Sequence, residues 1–205
     1  MTAALIGLGG YLRSGKDEVA GVLEEQFGFA RLGMSDALHE AMLAIDPIVV
    51  VDEFVQYPEG APGYGWNTPR AKMSYSELVE AVGYVEAKKR PEVRRLLQAL
   101  GTEVGRDMIG TNTWSDIMAR KVEALLKQGR SVVATGIRFP NEVQMLRSFA
   151  GAAVWVDRPG FEPSASSHAS ETSVGSDDFD MVIRNTGTLE QLHEGAAALG
   201  RRYSV

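Results

Sequence analysis

The segment Gly10–Asp17, with the sequence GYLRSGKD, constrains the fold more than any other part of the chain. It follows an apolar run at residues 3–8 that has the length of a buried strand. It precedes a helical pattern that places Val19, Val22 and Leu23 on one face. The segment matches G-x-x-x-x-G-K-[ST] at every fixed position except the last. A strand, a glycine-rich turn and a helix in this order predict a phosphate-binding loop.

The residue types of this loop suit an anionic ligand. Its two glycines allow conformations in which successive backbone N–H groups point inward. The helix that follows adds the positive end of its dipole, and Lys16 adds a movable positive charge. A dinucleotide fingerprint is excluded, because Leu12 stands where a third glycine is required. A glycine-rich turn with a solvated lysine is the alternative interpretation. The candidate nucleotide-binding residues are Gly10, Arg13, Ser14, Gly15, Lys16 and Asp17.

The composition of the chain limits the classes of protein to which it can belong. A length of 205 residues suits one domain, and the net charge of −6 disfavours a stable nucleic-acid partner. The absence of cysteine excludes disulfides and thiolate metal sites, and three histidines argue against structural zinc. No signal peptide and no run near the roughly 20 apolar residues of a membrane span stand out. We therefore expect a cytoplasmic protein with no membrane partner.

Hydrophobic patterning predicts the fold class. Runs of strand length at residues 28–32, 130–135, 152–156 and 181–183 alternate with helical patterns. This alternation predicts an α/β fold with a central parallel sheet and helices on both faces. Residues 48–70 are rich in proline and glycine and predict an irregular surface excursion. The Ser-, Gly- and Asp-rich stretch to Asp180 predicts a mobile lid, with a flexible linker as the alternative.

Two helices are predicted between the excursion and the later strands. The first covers residues 74–89, with Leu78, Val82 and Val85 inward, and the second covers residues 91–106. In the second, the inner stripe consists of Val93, Leu97, Leu100 and Val104. The opposite side carries Arg95, Thr102 and Arg106, with Gln98 at its edge. Two stacked arginines repel each other unless they share an anion such as phosphate. A solvated basic face remains the alternative.

Several short motifs follow one another along nearly the whole chain. They are RSGKD at Arg13–Asp17, RRLLQALGTEVGR at Arg94–Arg106 with Trp114, RFPNE at Arg138–Glu142, RPG at Arg158–Gly160, HASE at His168–Glu171 and NTGTL at Asn185–Leu189. In this order the set resembles the phage deoxynucleoside monophosphate kinases, a branch of the P-loop nucleoside-monophosphate kinases. The resemblance implies the reaction ATP + dNMP → ADP + dNDP in a single P-loop kinase domain over residues 1–205. It also implies a helical acceptor-binding region at about 34–128 and a lid at about 157–180.

The resemblance also implies roles for individual residues. Lys16 would hold the β- and γ-phosphates of ATP, while Arg13, Arg138 and Arg158 would neutralise the phosphoryl group in transfer. The acceptor phosphate would lie between Arg95 and Arg106, and the base would meet Gln98 and Trp114. The family suggests a homodimer, although no exposed apolar stripe in this sequence requires one.

Two positions depart from the family pattern. Gly136 stands where the family commonly has Asp, and Glu18 stands where it often has Thr. The loss of a carboxylate at position 136 leaves Asp17, Glu18 or Glu142 as candidate Mg²⁺ ligands, or leaves the ion to ATP oxygens and water. Asp17 and Glu142 are the predicted metal residues. Two other functions stay open: a kinase acting on a modified base within DNA, and a non-enzymatic nucleotide-binding switch.

Overall fold

The computed structural model describes residues 3–51, 71–161 and 172–204. Most of the predicted excursion at 48–70 therefore lies outside the described residues, as do the centre of the predicted lid at 157–180 and the motif His168–Glu171. The lid stays a prediction. The chain divides into two units, one formed by Met1–Ala37 with Gly110–Val205 and the other by Leu38–Ile109.

The elements alternate along the chain much as the sequence predicts. In chain order they are β1 (Leu5–Gly9), α1 (Lys16–Phe27), β2 (Ala30–Gly33), α2 (Asp36–Ile45), β3 (Ile48–Val51), β4 (Ala71–Ser74), α3 (Tyr75–Val82), α4 (Tyr84–Ala87), α5 (Pro91–Ala99), a π-helix (Leu100–Ile109), α6 (Thr113–Lys127), β5 (Val132–Ile137), α7 (Pro140–Ser148), β6 (Ala152–Asp157), a short 3₁₀ turn (Ser176–Asp178), β7 (Met181–Arg184) and α8 (Leu189–Tyr203).

The first unit is built on a five-stranded sheet with the order β2-β5-β1-β6-β7. Every pairing in it is parallel, which confirms the predicted fold class. Adjacent residues of a strand face opposite sides, so Leu5 joins the cluster beneath α6 and α7 while Ile6 joins the cluster beneath α1 and α8. Both faces are thus covered by helices, as a parallel sheet requires. Within the described residues, no helix combines the length and the apolar character needed to cross a bilayer.

The second unit contains an antiparallel pair that the sequence pattern did not reveal. We predicted an irregular excursion from residue 48 onward, but Ile48–Val51 is a strand that pairs with Ala71–Ser74. Val49 and Val51 are buried against Tyr75, Leu78 and other residues of the unit's core. The prediction was wrong because four residues show too little alternation, and the pairing partner lies about 20 residues away in the sequence.

The helix predicted over residues 74–89 is interrupted. Gly83 has φ of 77° and ψ of 156°, a combination that no helix can continue through, and it separates α3 from α4. The break turns Val85, predicted to point inward, outward, so that 58% of it is exposed. Ala87 is buried in its place.

The predicted helix over 91–106 changes type at Leu100, where the α-helix gives way to the π-helix. Because π-helical hydrogen bonds join residue i to i+5 instead of i+4, each turn holds more residues and the inward face shifts along the sequence. Val104, predicted to lie in the apolar stripe, is 37% exposed, whereas Gly105 is buried. The predicted alignment of Arg95 with Arg106 assumed α-helical spacing throughout, so the spacing argument for a shared phosphate no longer holds.

Polar contacts tie the second unit together. The Tyr75 hydroxyl lies 2.9 Å from His39 Nδ1 in a fully buried position, and burial raises the pKa of Tyr75 to about 12. The Ser76 backbone N–H donates to Asp46 at 2.7 Å, and this hydrogen bond lowers the pKa of the Asp46 carboxyl. Glu92 accepts a hydrogen bond from the Val50 backbone N–H, which links β3 to the first turn of α5.

Candidate active site

The carboxyl ends of the parallel strands bring the predicted phosphate-binding residues to one edge of the sheet. Gly9, the last residue of β1, lies opposite Ile137 of β5 and Trp155 of β6. The glycine-rich loop, Arg138 and Arg158 follow these three strands directly. In open α/β sheets this edge is the usual place for a ligand.

The loop between β1 and α1 is held in a tight conformation. Gly10, Arg13 and Gly15 have positive φ values of 142°, 65° and 98°. The Ser14 N–H donates to the Tyr11 carbonyl at 3.1 Å and closes the turn. Gly15 is the N-cap of α1 and offers no side chain to cap it, so the first-turn amides are available to an anion.

The loop is also too crowded for side chains at its glycines. A Cβ on Gly10 would lie 2.5 Å from both Ser14 Oγ and the Val156 carbonyl oxygen. A Cβ on Gly15 would lie 2.8 Å from Asn185 Nδ2. Among the described residues, Ser14 Oγ is the buried side-chain oxygen left without a hydrogen-bond partner. A tight turn between two glycines, with an unsatisfied buried hydroxyl inside it, fits the phosphates of a nucleotide.

Three predicted cationic residues lie at this loop. Lys16 Nζ donates to the Tyr11 carbonyl at 3.3 Å, inside its own loop. Arg158 Nη1 donates to the Arg13 carbonyl at 3.2 Å, which places the arginine after β6 against the loop backbone. Arg138 is exposed at the end of β5. The structure therefore places the side chains of Lys16 and Arg158 at the loop backbone, with Arg138 at the end of the neighbouring strand.

Asp17 has a partner that sequence spacing did not suggest. Its Oδ1 lies 2.5 Å from Arg31 Nη2, and the two side chains are 68% and 34% exposed. Arg31 belongs to β2, which is separated from Asp17 by most of α1 in the sequence. The pair neutralises part of the negative charge that Asp17 brings to the phosphate loop, at an exposure where ion pairs contribute little stability.

Glu142, the second predicted metal residue, has a structural task. Its Oε2 accepts hydrogen bonds from the backbone N–H groups of Arg138, at 2.7 Å, and Phe139, at 3.2 Å, and so caps the start of α7. Within the described ranges, no group of three or more histidine, aspartate or glutamate side chains is arranged to hold a metal ion. The side chains of the described residues alone do not form a metal cage.

Gly136, where the family commonly has Asp, lies at a bulge in β5. Leu8 pairs with Thr135 and Gly9 pairs with Ile137, so Gly136 is the extra residue, with φ of 80°. Glycine adopts this left-handed conformation without strain, whereas an aspartate pays for it. The departure from the family pattern therefore accompanies a local backbone geometry that favours glycine.

Replacement of Glu142 separates a capping role from a metal-binding role. We expect Glu142→Gln to keep the Mg²⁺ dependence of activity and most of the stability, because glutamine still offers an acceptor oxygen. Glu142→Ala removes the acceptor from a buried cap and should lower the free energy of unfolding by about 1–3 kcal/mol. Urea unfolding and a Mg²⁺ titration of activity measure both effects. A Glu142→Gln variant that needs far more Mg²⁺ than the wild type would restore Glu142 as a ligand.

The predicted acceptor residues are divided between the units. In the first, Trp114 of α6 is half-buried and lines a small cleft with Leu32, Gly33, Met34, Asp36, Ala37, Ile117, Met118 and Lys121. In the second, Arg95 lies 3.8 Å from Glu92 and remains 67% exposed, Gln98 is exposed, and Arg106 is half-buried in the π-helix. Their role in acceptor binding stays a prediction.

Comparisons with known proteins place this geometry in a family. The deoxynucleotide monophosphate kinase family matches residues 64–195. A deoxynucleotide monophosphate kinase of Escherichia phage RB69 is 25% identical and covers 92% of this chain and 96% of its own. A putative deoxynucleotide monophosphate kinase of Acanthamoeba polyphaga mimivirus is also 25% identical, over 92% of each chain. The solved dephospho-CoA kinase from Campylobacter jejuni shares the fold, with a TM-score of 0.51, 12% identity and coverage of 100% and 99%. The chain belongs to the deoxynucleotide monophosphate kinase family.

Proposed function

We propose that this protein transfers the γ-phosphate of ATP to a deoxynucleoside monophosphate, giving ADP and a deoxynucleoside diphosphate. Family membership supports a phosphotransferase acting on deoxynucleotides. The observation that carries the donor half is the tightly packed turn at Gly10–Gly15, in which the two glycines have no room for a Cβ and Ser14 Oγ is buried without a partner. The positive φ values of Gly10, Arg13 and Gly15 suit a turn whose backbone N–H groups point towards phosphate oxygens.

Lys16 is the proposed cation at the donor phosphates. Phosphoryl transfer asks little covalent chemistry of a protein, because catalysis depends on aligning two phosphates and neutralising charge on the group that moves. The side chain donates to the Tyr11 carbonyl within the loop, so its charge lies at the loop backbone. A donor held in this way stabilises charge that grows in the transition state without having to reorganise.

We propose that a second source of positive charge at the transferring phosphoryl group is a set of three arginines, Arg158, Arg13 and Arg138. The hydrogen bond from Arg158 to the Arg13 carbonyl supports a place for its guanidinium beside the loop. The fork of an arginine contacts two phosphate oxygens at once, which suits the equatorial oxygens of a transferring phosphoryl group. Arg138 follows β5 at the same sheet edge and would act from the neighbouring strand.

The proposed acceptor contacts are Trp114 and Gln98 for the base and Arg95 and Arg106 for the phosphate. Trp114 is supported by the family motif in which it stands and by its half-buried position beside a small cleft. The arginines are supported by the family motif in which they stand, not by helical alignment.

Mg²⁺ would offset the negative charge of the ATP phosphates. This ion usually keeps several waters and takes only one or two carboxylates, so Asp17 at the start of α1 would suffice as the protein ligand. We further propose that the enzyme works in the cytoplasm on free nucleotides, in the host cell if a phage encodes it, and that it forms a homodimer. Sedimentation of the purified protein checks the last point.

A substrate panel tests the proposed function. A coupled ADP-release assay is run with the four common dNMPs, the four corresponding ribonucleotides and a hydroxymethylated dNMP. We expect ADP release to depend on at least one dNMP and to proceed without DNA. ATP turnover that no member of the panel accelerates would contradict the proposal and favour a nucleotide-binding switch. Activity that appears only with DNA carrying a hydroxymethylated base would favour the alternative kinase.

A further inference from the structure

The segment after β7 contacts the phosphate loop through Asn185. Asn185–Leu189, which carries the family motif NTGTL, joins β7 to α8. The backbone N–H of Asn185 donates to the Asp157 carbonyl at 2.7 Å and extends the pairing of β6 with β7. The start of α8 is fixed by the reciprocal capping of Thr188 and Gln191. The backbone of Asn185 is therefore held on both sides, which fixes the position of its Cα.

The Asn185 side chain reaches the phosphate loop itself. Its Nδ2 donates a hydrogen bond of 2.9 Å to the Ser14 carbonyl oxygen. Because a trans peptide is planar, with its C=O and N–H pointing in opposite directions, fixing this carbonyl also fixes the N–H of Gly15. That N–H belongs to the N-cap residue of α1, where an anion would bind. Asn185 therefore determines the orientation of one phosphate-binding amide.

The side chains around this contact pack closely against Gly15. A Cβ on Gly15 would lie 2.8 Å from Asn185 Nδ2 and 2.8 Å from Leu192 Cδ2. Leu192 belongs to the core that joins α8 to α1, so the asparagine, the glycine and the leucine fit against one another. Gly15 has φ of 98°, and a glycine peptide that loses its hydrogen bond can rotate to other conformations at little steric cost.

We propose that Asn185 is a positioning residue for ATP: it holds the peptide between Ser14 and Gly15 so that the Gly15 N–H faces the donor phosphates. The expected change in kinetics rests on the proposed function, whereas the expected change in ADP binding does not. Asparagine suits this task because it is a neutral donor. An aspartate of the same shape would place a carboxylate against the Ser14 carbonyl and would have no hydrogen to donate.

The experiment compares Asn185→Ala and Asn185→Asp with Thr186→Ala, a control at the exposed neighbouring residue. Binding of ADP with Mg²⁺ is measured by titration calorimetry, and steady-state kinetics give KM for ATP and for the dNMP separately. We expect both Asn185 variants to bind ADP roughly 5- to 50-fold more weakly and to lose kcat/KM for ATP by a similar factor, since a lost neutral hydrogen bond and a misoriented amide act together. KM for the dNMP should change less than 2-fold, and Thr186→Ala should match the wild type.

Two results would overturn the proposal. One is an Asn185→Asp variant that binds ADP as tightly as the wild type. The shape of the side chain would then be enough for ADP binding, without a hydrogen bond donated to Ser14. The other is an equal rise in KM for both substrates together with a loss of stability in urea, because Asn185 would then act on the fold in general. The calorimetric measurement does not depend on phosphoryl transfer, so an inactive wild-type enzyme would contradict the proposed function without deciding the role of Asn185.

Discussion

Lys16→Ala should lower kcat/KM for the dNMP-dependent reaction by about 100- to 1,000-fold, the loss observed when one preorganised charge-stabilising contact is removed from a transition state. The expected loss corresponds to roughly 2.7–4 kcal/mol of transition-state stabilisation. It should exceed any loss of stability, because the Lys16 hydrogen bond to the Tyr11 carbonyl, at 3.3 Å, stays inside its own loop and the backbone turn is closed separately by the Ser14 N–H. Initial rates and urea unfolding of the same preparation measure both quantities.

Lys127→Ala is the matched control for this variant. Lys127 pairs with Glu123 at 2.7 Å on an exposed face of α6, where such pairs contribute a few tenths of a kcal/mol. The control should therefore keep wild-type kinetics. A Lys16→Ala enzyme that forms dNDP at the wild-type rate would show that the glycine-rich loop is not the donor site.

Gly10→Ala should abolish detectable nucleotide binding and lower the free energy of unfolding by about 2–5 kcal/mol, the sum of backbone strain and overpacking. The residue has φ of 142°, and the added Cβ would meet Ser14 Oγ and the Val156 carbonyl at 2.5 Å each. The carbonyl belongs to β6 and cannot move without disturbing the central sheet. The alanine must therefore displace the loop. Urea unfolding and ADP titration calorimetry test the two effects.

Gly28→Ala is a control that measures the cost of backbone strain without the cost of steric crowding. Gly28 ends α1 with φ of 70°, but a Cβ there would have no heavy atom within 4 Å. We expect this control to lose only about 1–2 kcal/mol, the cost of a left-handed conformation, and to bind ADP normally. If Gly10→Ala behaves like Gly28→Ala in both measurements, the loop is not the crowded turn described here.

The regular part of the fold follows from local signals in the sequence. Buried strands such as Leu5–Gly9 and Val132–Ile137 are short, continuous apolar runs, and the helices between them carry one apolar face. Parallel pairing then follows, because strands joined by helices can return only in the same direction. The loop at Gly10–Gly15 was recognisable for a similar reason: its function depends on residues that are adjacent in the chain.

The parts that the sequence did not reveal depend on contacts between distant residues or on backbone hydrogen-bond type. No sequence spacing predicts the ion pair between Asp17 and Arg31. The same holds for the hydrogen bond from Asn185 to the Ser14 carbonyl. The change to a π-helix at Leu100 leaves the order of apolar residues intact but changes which of them face inward. The left-handed bulge at Gly136 shows that a backbone geometry favouring glycine accompanies the missing carboxylate.

The central claim, that a phosphoryl group passes from ATP held by the glycine-rich loop to a free dNMP, is tested most directly by following the label from [γ-³²P]ATP. The purified protein is incubated with the labelled ATP, Mg²⁺ and one accepted dNMP, and the products are separated chromatographically. We expect label in the dNDP in equal amount to the ADP formed, and no such transfer by Lys16→Ala. Label released as inorganic phosphate, or incorporated only when DNA is present, would contradict it.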